Sequence, residues 1–306
     1  MKKQLPSALK ERLGGILGEE ALCRMEAQSS AERRAIRVNT LKTDYEEAIG
    51  ALEEKGFHPQ RIPWCARGLW VENKPGLDDT IEYFLGHYYI QDAASMIPVT
   101  VLEPCEGDIT LDMTAAPGSK TTQIADHMGN RGALAANEYN ASRLGPLKFN
   151  LNKYGVVNTI VTTMDATERW DCTMKFSKIL LDAPCSCEGQ IHNPDAMKQW
   201  SMGKVGRCSH AQKRMIENAA GLLAEGGTLI YSTCTLAPEE NEEVIDHILE
   251  KDGGIRVEKI RLDGISTHPG IASWRGREYS AEVKRTLRIN PLENNTEGFY
   301  IAKLSK

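Results

Sequence analysis

The sequence predicts an α/β protein whose larger part is a parallel sheet with helices on both faces. From about residue 109, short apolar strand-like segments alternate with longer segments of helical periodicity. Parallel strands need a crossover connection, usually a helix, so this alternation favours a parallel sheet covered on both sides. The first hundred residues have shorter elements, which indicate a separate small α/β module. We therefore divide the chain into a module over 1–100 and a larger domain over 101–306.

The elements of the N-terminal module follow from residue periodicity and helix-breaking residues. RAIRVNTL (34–41) has the pattern of a strand, and DYEEAIGALEEKG (44–56) that of an amphipathic helix closed by Gly56. GLWVEN (68–73) predicts a further strand. This order of elements is that of a small α/β unit.

The larger domain is predicted in the same way. Its predicted strands are ITLDMTA, RGALAANE, NTIVTTMDA, FSKILLDAP and GTLIYSTCT. Its predicted helices are TTQIADHMG, ASRLGPLKFNLNKYG, HAQKRMIENAAGLLAEGG and PEENEEVIDHILEKDG. Two later strand-like segments, VEKIRL and GFYIAKL, have no obvious helix between them, so we expect an antiparallel edge.

The composition indicates an ordinary globular protein. The 306 residues are 41% hydrophobic and 26% charged. The basic N-terminus has no continuous apolar core, and no segment approaches the roughly 18–20 apolar residues that span a bilayer. Eight cysteines without a secretory signal indicate reduced thiols. We expect a cytoplasmic protein with no membrane partner, and no obligate protein partner is evident.

Polar or reactive side chains follow each predicted parallel strand. They are Asp112, Asn137, Glu138, Asp165, Asp182, Cys185, Thr233 and Cys234. Helix capping would explain any one of the acids, but it explains five strand ends in succession poorly. Because ligands bind beyond the carboxyl ends of such strands, we expect a ligand site at this edge.

The loop AAPGSKTT after the first of these strands predicts a nucleoside cofactor. It lacks the glycine spacing of a P-loop and of the dinucleotide motif. A turn of small residues that opens a helix still allows close approach and offers amide hydrogens to a carboxylate. Glu138, about twenty residues further on, is placed to bind a ribose diol. S-adenosylmethionine fits this pattern of a nucleoside without a pyrophosphate.

Several longer segments carry a family resemblance. They are RVNTLK (37–42), YYIQDAASMIP (88–98), LDMTAAPGSKTTQIA (111–125), LLDAPCSCEG (180–189), HNPD (192–195), AQKRMI (211–216), YSTCTLAPEENEEVI (231–245) and GFYIAKL (298–304). In this order they resemble the RsmB/Nop2/Sun family of S-adenosylmethionine-dependent RNA (cytosine-5-)-methyltransferases. The resemblance implies a Rossmann-like class I methyltransferase sheet, an RNA-recognition-like N-terminal module and methyl transfer to C5 of cytosine through a covalent Cys–C6 adduct.

The resemblance also implies roles for individual residues. Residues 114–120 are expected to wrap the methionine end of the cofactor, Glu138 to hold the ribose hydroxyls and Asp165 to contact the adenine. Asp182 is expected beside the cofactor and the target base, and Arg143 matches a family arginine. The implied cofactor-binding residues are Thr114, Ala115, Ala116, Pro117, Gly118, Ser119, Lys120, Glu138, Arg143, Asp165 and Asp182.

Three positions depart from the family pattern. The family usually has Cys where this chain has Thr114, and Gly where it has Ser119 and Cys187. Threonine and serine are small and keep the loop backbone accessible. Glycine allows a positive φ that a β-carbon disfavours, so Cys187 is the departure with a structural consequence.

The predicted chemistry requires a thiolate. Carbon 5 of cytosine is a poor nucleophile until a group adds at carbon 6, and a thiolate can both add and leave. DNA cytosine-5 methyltransferases use a Pro-Cys cysteine, as Cys185 is, whereas the RNA family implies that Cys234 attacks and Cys185 releases the product. A predicted helix start at Pro238 would favour a Cys234 thiolate. Asp182 and Lys120 are the expected polar partners of the cytosine and its developing charge.

Local basic clusters are candidates for RNA contacts, although most such runs are solvated surfaces. The net charge of −5 neither requires nor excludes this partner. The target base has to leave its stack to reach a pocket. The candidate contact residues are Arg37, Lys42, Arg207, Lys213, Arg214, Lys284, Arg285 and Arg288. We favour tRNA over rRNA because the compact chain resembles archaeal-type tRNA members of the family.

Other interpretations of the cysteines and of the fold stay open. The cysteines preferred as buried apolar residues are Cys23, Cys65, Cys105 and Cys172. A candidate zinc set is Cys185, Cys187, Cys208 and His210. Its spacing is unusual and the family needs no metal, so we expect none. The main functional alternative is a catalytically weak or inactive RNA-binding or assembly protein; a nicotinamide oxidoreductase is disfavoured by the missing glycine motif.

Overall fold

A computed structural model describes residues 5–20, 23, 33–190 and 193–306, so His192 of the HNPD segment lies outside the described residues. The α-helices within these ranges are α1 (Ser7–Leu17), α2 (Tyr45–Glu54), α3 (Ile81–Leu85), α4 (Ile97–Leu102), α5 (Ser119–His127), α6 (Ala141–Lys153), α7 (Pro194–Lys198), α8 (Met202–Leu222), α9 (Glu242–Lys251) and α10 (Pro291–Asn294). Short 3₁₀ helices span Ala94–Met96 and Ala281–Arg285. Across the described part of the chain, no helix has the length and apolar character needed to cross a membrane.

The strands form a large sheet, a small sheet and a two-stranded ribbon. They are β1 (Arg33–Val38), β2 (Gln60–Arg61), β3 (Gly68–Glu72), β4 (Tyr88–Ile90), β5 (Ile109–Asp112), β6 (Ala133–Asn137), β7 (Thr159–Thr162), β8 (Phe176–Asp182), β9 (Leu223–Thr233), β10 (Arg256–Glu258), β11 (His268–Pro269), β12 (Ser273–Trp274), β13 (Arg277–Glu278), β14 (Leu287–Ile289) and β15 (Phe299–Ser305).

The large sheet has the order β11-β14-β15-β9-β8-β5-β6-β7, and β10 pairs with β15. Strands β5 to β9 are parallel, as the alternation of segments predicted. β15 is antiparallel to both β9 and β14, and β10 is antiparallel to β15. The expected parallel sheet with an antiparallel edge is therefore confirmed.

Two hydrophobic layers cover this sheet because successive strand residues point to opposite faces. In β8, Ile179 and Leu181 pack into the layer that contains residues of α8 and α9. Leu180 between them packs into the opposite layer, with Leu102 of α4 and Ile124 of α5. All three β8 side chains are fully buried. Burial on both faces explains why this strand is continuously apolar in sequence.

The N-terminal module is an antiparallel sheet of order β2-β3-β1-β4 with α2 packed on it. Asp44 caps α2, and Glu47 completes a capping box by accepting the Asp44 backbone N–H. The chain turns after α2 at Gly56, whose φ of +76° is left-handed. The two strands and the helix predicted for this module are confirmed, whereas β2, α3 and β4 were not predicted.

Arg37 connects the module to the larger sheet domain. Its guanidinium donates to Gln91 Oε1, to the Ser119 carbonyl at 2.6 Å and to Thr122 Oγ1 at 2.7 Å. The side chain is 1% exposed, so it fastens β1 to the first turn of α5. The prediction that Arg37 contacts RNA is therefore wrong, because its donors are buried within the protein.

Arg288 also lies inside the protein. Its Nε and Nη2 atoms donate to the two carboxylate oxygens of Glu242, each at 2.6 Å, and Nη1 donates to the Leu236 carbonyl at 3.0 Å. This bidentate pair fastens β14 to the start of α9. The predicted RNA contact of Arg288 is also wrong, for the same physical reason.

Helix starts are the boundaries that sequence patterns predicted least well. α8 begins at Met202 rather than near His210, because Ser201 Oγ accepts the Lys204 backbone N–H at 3.1 Å and caps it there. α9 begins at Glu242 rather than at Pro238. The short strand β14 beside β15 was not predicted at all. α4 crosses the predicted domain boundary at residue 100.

We predict that Arg37→Leu lowers the free energy of unfolding by about 2–4 kcal/mol, because it leaves buried acceptors without donors. Urea unfolding monitored by circular dichroism measures the change. The control is Arg61→Leu at an exposed arginine, which should change stability by no more than about 0.5 kcal/mol. Equal effects of the two substitutions would contradict the fastening role of Arg37.

Candidate active site

The candidate active site lies where the strand order of the large sheet reverses. β6 and β7 continue the sheet on one side of β5, and β8 and β9 on the other. Ligands of open α/β sheets bind beyond the carboxyl ends of strands at such a switch point. In the sheet register, Asp112 lies beside Leu180, and Asp182 beside Ser232. The polar ends of β5, β8 and β9 therefore meet at one edge, as the sequence predicted.

Gly118 shapes the loop between β5 and α5. Its φ is +107°, and a Cβ there would lie 3.2 Å from Leu147 Cδ1 of α6. It precedes α5 without a side-chain cap, so the first turn of the helix presents backbone N–H groups to the loop. Asn150 holds the loop from α6 by donating to the Pro117 carbonyl at 2.8 Å. A loop of this form suits a small anionic group such as a carboxylate.

Two predicted cofactor residues follow β6 and β7. Glu138 is buried; its Oε1 accepts a backbone N–H at 2.8 Å, and its Oε2 lies 3.4 Å from Arg143 Nη1. Arg143 also donates to the Ala116 carbonyl, which connects Glu138 to the loop after β5. Asp165 is partly exposed and accepts the backbone N–H and the hydroxyl of Thr167, at 2.8 and 2.7 Å. Glu138 thus lies at the end of β6, which is next to β5, and Asp165 follows β7, one strand further away.

A partly buried ion pair connects α5 to the end of β8. Lys120 Nζ donates to Asp182 Oδ2 at 2.6 Å and to Ser95 Oγ at 2.9 Å. Burial alone would lower the pKa of Lys120, but the Asp182 carboxylate raises it above its usual value. Asp182 Oδ1 accepts the Ser232 hydroxyl at 2.7 Å, and the Asp182 carbonyl accepts the Thr114 hydroxyl at 2.8 Å. Lys120 therefore remains cationic in a fixed position.

Three thiols converge beside this ion pair. Cys185 Sγ lies 3.3 Å from Cys234 Sγ and 3.9 Å from Cys187 Sγ. Cys185 is buried, whereas Cys187 and Cys234 are partly exposed. Cys187 has a φ of +65°, the left-handed conformation that its glycine counterpart in the family suggested. This backbone turn keeps Cys187 Sγ 3.5 Å from the Cys185 carbonyl oxygen.

Proximity couples the ionisation of the three thiols. The hydrogen bond that Cys185 donates to Cys187 raises the pKa of Cys185 and lowers that of Cys187. The hydrogen bond from Cys185 also lowers the pKa of Cys234, but contact with Cys187 and burial outweigh it and raise this pKa well above its usual value. The predicted thiolate stabilisation at Cys234 by a helix beginning at Pro238 is thus wrong, because α9 begins four residues later.

A buried carboxylate, Glu240, fixes the thiol loop, residues 184–190. Glu240 Oε2 accepts the Ser186 backbone N–H at 2.9 Å and Gln212 Nε2 at 3.0 Å. Glu240 Oε1 accepts the Ser186 hydroxyl, which also contacts Thr235 Oγ1 at 2.9 Å. Burial raises the pKa of Glu240 to about 7. The carboxylate therefore fastens the thiol loop to α8 and to the turn after β9.

Backbone contacts complete this attachment. The Gly189 N–H donates to the Cys234 carbonyl at 2.9 Å, and the Gly298 N–H donates to the Gly189 carbonyl at 3.0 Å. Glu188, which is fully buried, accepts Arg12 Nε at 2.8 Å and Trp200 Nε1 at 3.1 Å. The thiol loop is thus held by α1, by the segment before α8 and by the start of β15.

Sequence reasoning missed Glu240 and Glu188 as parts of the site. The sequence places Glu240 in the first turn of a predicted helix and Glu188 in the LLDAPCSCEG segment, with no sign that either is buried. Their burial was the missing signal, since Asp and Glu are rarely buried without partners. The family segments LLDAPCSCEG and YSTCTLAPEENEEVI contain both residues, but sequence alone did not show that the two segments touch.

A cleft opens between the N-terminal module and the thiol loop. Residues that line it include Arg34, Trp70, Asp92, Gln190 and Glu297. Gln190 Nε2 donates to Glu297 Oε2 at 2.9 Å, and the Glu297 N–H donates to Asp92 Oδ2 at 3.3 Å. Burial raises the pKa of Asp92, and it raises the pKa of Glu297 to about 7. The cleft thus joins a basic surface of the module, at Arg34, to the thiol loop.

The other predicted RNA-contact residues are at least partly exposed. They are Lys42, Arg207, Lys213, Arg214, Lys284 and Arg285. Lys213 and Arg214 on α8 pair with Glu243 at 2.6 Å and with Glu168 at 2.7 Å. Arg285 donates to the carbonyl of Val257 in β10, near the end of β15 remote from the thiols. The exposed basic residues are therefore divided between α8, the N-terminal module and the far edge of the sheet.

Two family models match the chain. Residues 99–305 match the family described as 16S rRNA methyltransferase RsmB/F. Residues 5–93 match the family described as the N-terminal domain of 16S rRNA methyltransferase RsmF. These matches together extend over the larger sheet domain and the module.

Two curated relatives differ in length. The chain is 44% identical over 279 residues to the tRNA (cytosine(49)-C(5))-methyltransferase of Pyrococcus abyssi, with 90% of this chain and 88% of that protein covered. It is 39% identical over 283 residues to the ribosomal RNA small subunit methyltransferase F of Erwinia tasmaniensis, with 90% of this chain but only 57% of that protein covered. The chain thus spans a little more than half of the second relative.

Solved structures show the same fold. A methyltransferase homologue from Pyrococcus horikoshii superposes with a TM-score of 0.85 at 34% identity, covering 99% of this chain and 100% of that one. NSun6 from Pyrococcus horikoshii, solved with SFG, superposes with a TM-score of 0.86 at 26% identity, covering 98% of each chain. The strand order and the site at its switch point thus define a class I methyltransferase. The chain belongs to the RsmB/F methyltransferase family, and its predicted enzyme class, an S-adenosylmethionine-dependent RNA cytosine-5 methyltransferase, is confirmed.

We predict that Gly189→Ala destabilises the protein by about 1–3 kcal/mol. An alanine Cβ would lie 2.2 Å from the Gly298 carbonyl oxygen, so the backbone would have to move. The control is Gly145→Ala in α6, where a Cβ meets open space. Because alanine has a higher helix propensity than glycine, this substitution should stabilise the protein by up to about 1 kcal/mol. Thermal unfolding compares the two, and a Gly189→Ala protein as stable as the parent would refute this packing argument.

We also predict that Glu240→Gln weakens the pH dependence of stability between about 4.5 and 7. The folded pKa is raised, so the contribution of Glu240 is fully present below its unfolded pKa and is lost as pH rises through about 7. This loss amounts to at most about 3 kcal/mol in the parent protein. Glutamine does not ionise and can keep the contacts, by accepting the two N–H groups and donating to the hydroxyls.

The measurement is urea unfolding at several pH values for the parent protein, Glu240→Gln and Glu225→Gln. Glu225 is exposed, so its substitution should leave the parental pH dependence in place. If Glu240→Gln retains the parental slope, the protonation of Glu240 on folding is ruled out.

Proposed function

We propose that this enzyme methylates C5 of a cytosine in RNA through a covalent adduct, with Cys234 as the nucleophile and Cys185 as the group that allows product release. The observation that carries the proposal is the 3.3 Å contact between the two thiols, at the ends of adjacent strands and beside the Lys120–Asp182 pair. One reactive thiol would suffice for attack alone. Two thiols in contact suit a reaction that must both form and release an adduct.

The greater exposure of Cys234 supports its role in attack. Cys234 is partly exposed and Cys185 is buried, so an incoming base can reach Cys234 Sγ first. The Cys234 thiolate adds to C6 of cytosine, and the electron density that moves to C5 makes this carbon nucleophilic. Lys120 and Asp182 are polar partners for the ring, and the cationic Lys120 can stabilise its developing negative charge.

Release requires removal of the proton from C5. We assign this step to Cys185, whose thiolate takes the proton while the C5–C6 double bond forms again. The C6–S bond breaks in the same step, and its electron pair returns to Cys234 as a thiolate. The buried Cys185, in contact with the partly exposed Cys234, is better placed for proton removal from a base already attached than for the first attack.

The residues around the loop after β5 fit S-adenosylmethionine. The left-handed φ of Gly118 turns the loop into α5, and the uncapped first turn of this helix suits a carboxylate. We propose that residues 114–120, with Arg143 supporting the loop, hold the methionine end, Glu138 the ribose and Asp165 the adenine. When bound, the cofactor supplies the electrophilic methyl group. NSun6 from Pyrococcus horikoshii was solved with SFG, an analogue of this cofactor.

We propose tRNA rather than rRNA as the substrate. The relative named for tRNA cytosine 49 is 44% identical over 279 residues, whereas the relative named for ribosomal RNA is 39% identical over 283 residues. The cleft between the module, residues 1–100, and the domain, residues 101–306, is the proposed path for the flipped base. The exposed residues Lys42, Arg207, Lys213, Arg214, Lys284 and Arg285 are the proposed backbone contacts. We place this activity in the cytoplasm.

We predict that Cys185→Ala accumulates a protein–RNA adduct and that Cys234→Ala forms none. The reason is that loss of Cys185 blocks release after attack, whereas loss of Cys234 removes the attacking atom. Each variant is incubated with S-adenosylmethionine and with unmodified tRNA or rRNA, and adducts are separated on a denaturing gel. The pool that yields the adduct identifies the substrate class.

Cys208→Ala is the control, because this thiol on α8 takes no part in the proposed reaction. It should methylate RNA at the parental rate without an adduct. An adduct with Cys234→Ala would reverse the two roles. If the parent protein neither methylates nor binds covalently to either pool, the alternative of a catalytically inactive RNA-binding protein is favoured.

A further inference from the structure

The third thiol of the cluster has no part in the proposed reaction. Cys187 stands where the family usually has glycine, yet the structure brings its sulfur to the two reactive thiols. Within the described residues, Cys185, Cys187 and Cys234 form the single group of three metal-binding side chains whose ligand atoms all lie within 4.8 Å of one another. This set differs from the sequence candidate, because Cys234 replaces Cys208 and His210.

The sulfur positions suit a small thiophilic cation. Zinc–thiolate bonds of about 2.3 Å in a tetrahedral site place the sulfurs about 3.8 Å apart. Two of the three sulfur–sulfur separations are 3.3 and 3.9 Å, and all three are within 4.8 Å. Side-chain movements of up to about 1 Å would therefore bring the three sulfurs around one ion. Sequence spacing could not reveal this set, because Cys234 comes from another strand.

The backbone supports the site before any ion binds. The left-handed conformation at Cys187 turns the thiol loop back, so that the sulfur atoms of Cys185 and Cys187 lie close together. Glu240 and the Gly189–Cys234 contact hold this loop against the end of β9. A site held in this way loses little conformational entropy on binding.

The charges around the cluster also suit three thiolates. A divalent ion with three thiolates has a net charge of −1, and Lys204 near Cys187 and Lys120 near Cys234 can offset it. Without an ion, the negative charge of one thiolate opposes ionisation of its neighbours. A divalent cation removes this repulsion and favours all three thiolates.

We propose that Cys185, Cys187 and Cys234 form a three-thiolate Zn²⁺ site whose fourth position is open to solvent, and that Zn²⁺ bound there stops methyl transfer. The partial exposure of Cys187 and Cys234 leaves room for water as the fourth ligand. Inhibition, which rests on the proposed function, follows because the ion occupies both the attacking and the releasing sulfur. The binding itself does not depend on that function.

The first test measures metal binding alone. The full chain without an affinity tag is reduced with a phosphine that does not bind zinc, and then dialysed against buffered Zn²⁺. We expect one zinc per chain by elemental analysis, and thiolate-to-metal charge-transfer absorption when Co²⁺ replaces Zn²⁺. Cys187→Gly should weaken zinc binding by about 100-fold or more, since it removes a ligand. Cys208→Ser is the matched control and should bind as the parent does.

The folded state of Cys187→Gly is checked by thermal unfolding, and glycine is expected to accept the positive φ without strain. Cys187→Ser gives a second variant that keeps a β-carbon and removes the thiolate, and it should also lose charge-transfer absorption. Parental zinc affinity in both variants, or less than a tenth of a zinc per parent chain at saturation, would overturn the proposal. If Cys185 and Cys234 form a disulfide instead, the number of free thiols falls by two and no metal is bound. The reductant then restores both thiols.

The second test measures methylation with and without one equivalent of Zn²⁺. With Zn²⁺, the parent protein should lose more than nine-tenths of its activity and regain it when a chelator is added. For Cys187→Gly, the ratio of the methylation rate with Zn²⁺ to the rate without it should stay near one. Inhibition of Cys187→Gly at the same zinc concentration as the parent would overturn the inhibitory role. If the zinc-free parent has no activity but binds zinc as described, the proposed function fails and the metal site stands.

Discussion

The buried carboxylate of Glu240 is the constraint on which the geometry of the site depends. It accepts a backbone N–H from the thiol loop and an amide from α8, and its own backbone belongs to the turn after β9. Cys185 follows β8 and Cys234 follows β9, so the relative position of their side chains depends on the contacts that join the two loops. Glu240 adds to the Gly189–Cys234 backbone contact, because its two oxygens together reach both loops and the helix that covers them.

This arrangement has an energetic cost that the surrounding packing offsets. A carboxylate taken out of water resists ionisation, which explains why the pKa of Glu240 rises to about 7. Glu188, two residues after the serine that Glu240 binds, is buried as well, but it has the Arg12 guanidinium as a partner. Two buried acids thus fix one short loop, one through neutral donors and the other through an ion pair. Rigid positioning of this kind is what reactive groups require to meet a substrate base in one orientation.

The sequence predicted the parallel sheet, its antiparallel edge and the meeting of strand ends, because these follow from local periodicity and from the geometry of parallel strands. It failed where a charged residue finds a partner far along the chain. Arg37 contacts Ser119 and Thr122, and Arg288 contacts Glu242, so both side chains appeared in sequence as surface cations. A basic residue in a short motif does not show whether its partner is a nucleic acid or another segment of the same chain.

The helix start at Pro238 failed for a related reason. Proline followed by acids is a typical start signal, yet the Glu240 side chain accepts buried donors of the thiol loop, and its backbone lies before the helix. Tertiary contacts therefore delay α9 until Glu242, which is itself held by Arg288. The same cause moves the helix start four residues further along the chain, and the neighbouring groups in contact with Cys234 dominate its pKa.

Among these neighbours, Cys187 connects the backbone to the chemistry. A left-handed φ at a residue with a β-carbon has an energetic cost, and the thiol loop accepts it because Glu240, Glu188 and Gly189 fix the residues around it. Glycine at this position would relieve the strain but would leave two thiols at the site. Cysteine adds a third sulfur next to two that must alternate between thiol and thiolate during the proposed reaction. The charge state of Cys234 thus depends on a residue that does not need to touch the RNA.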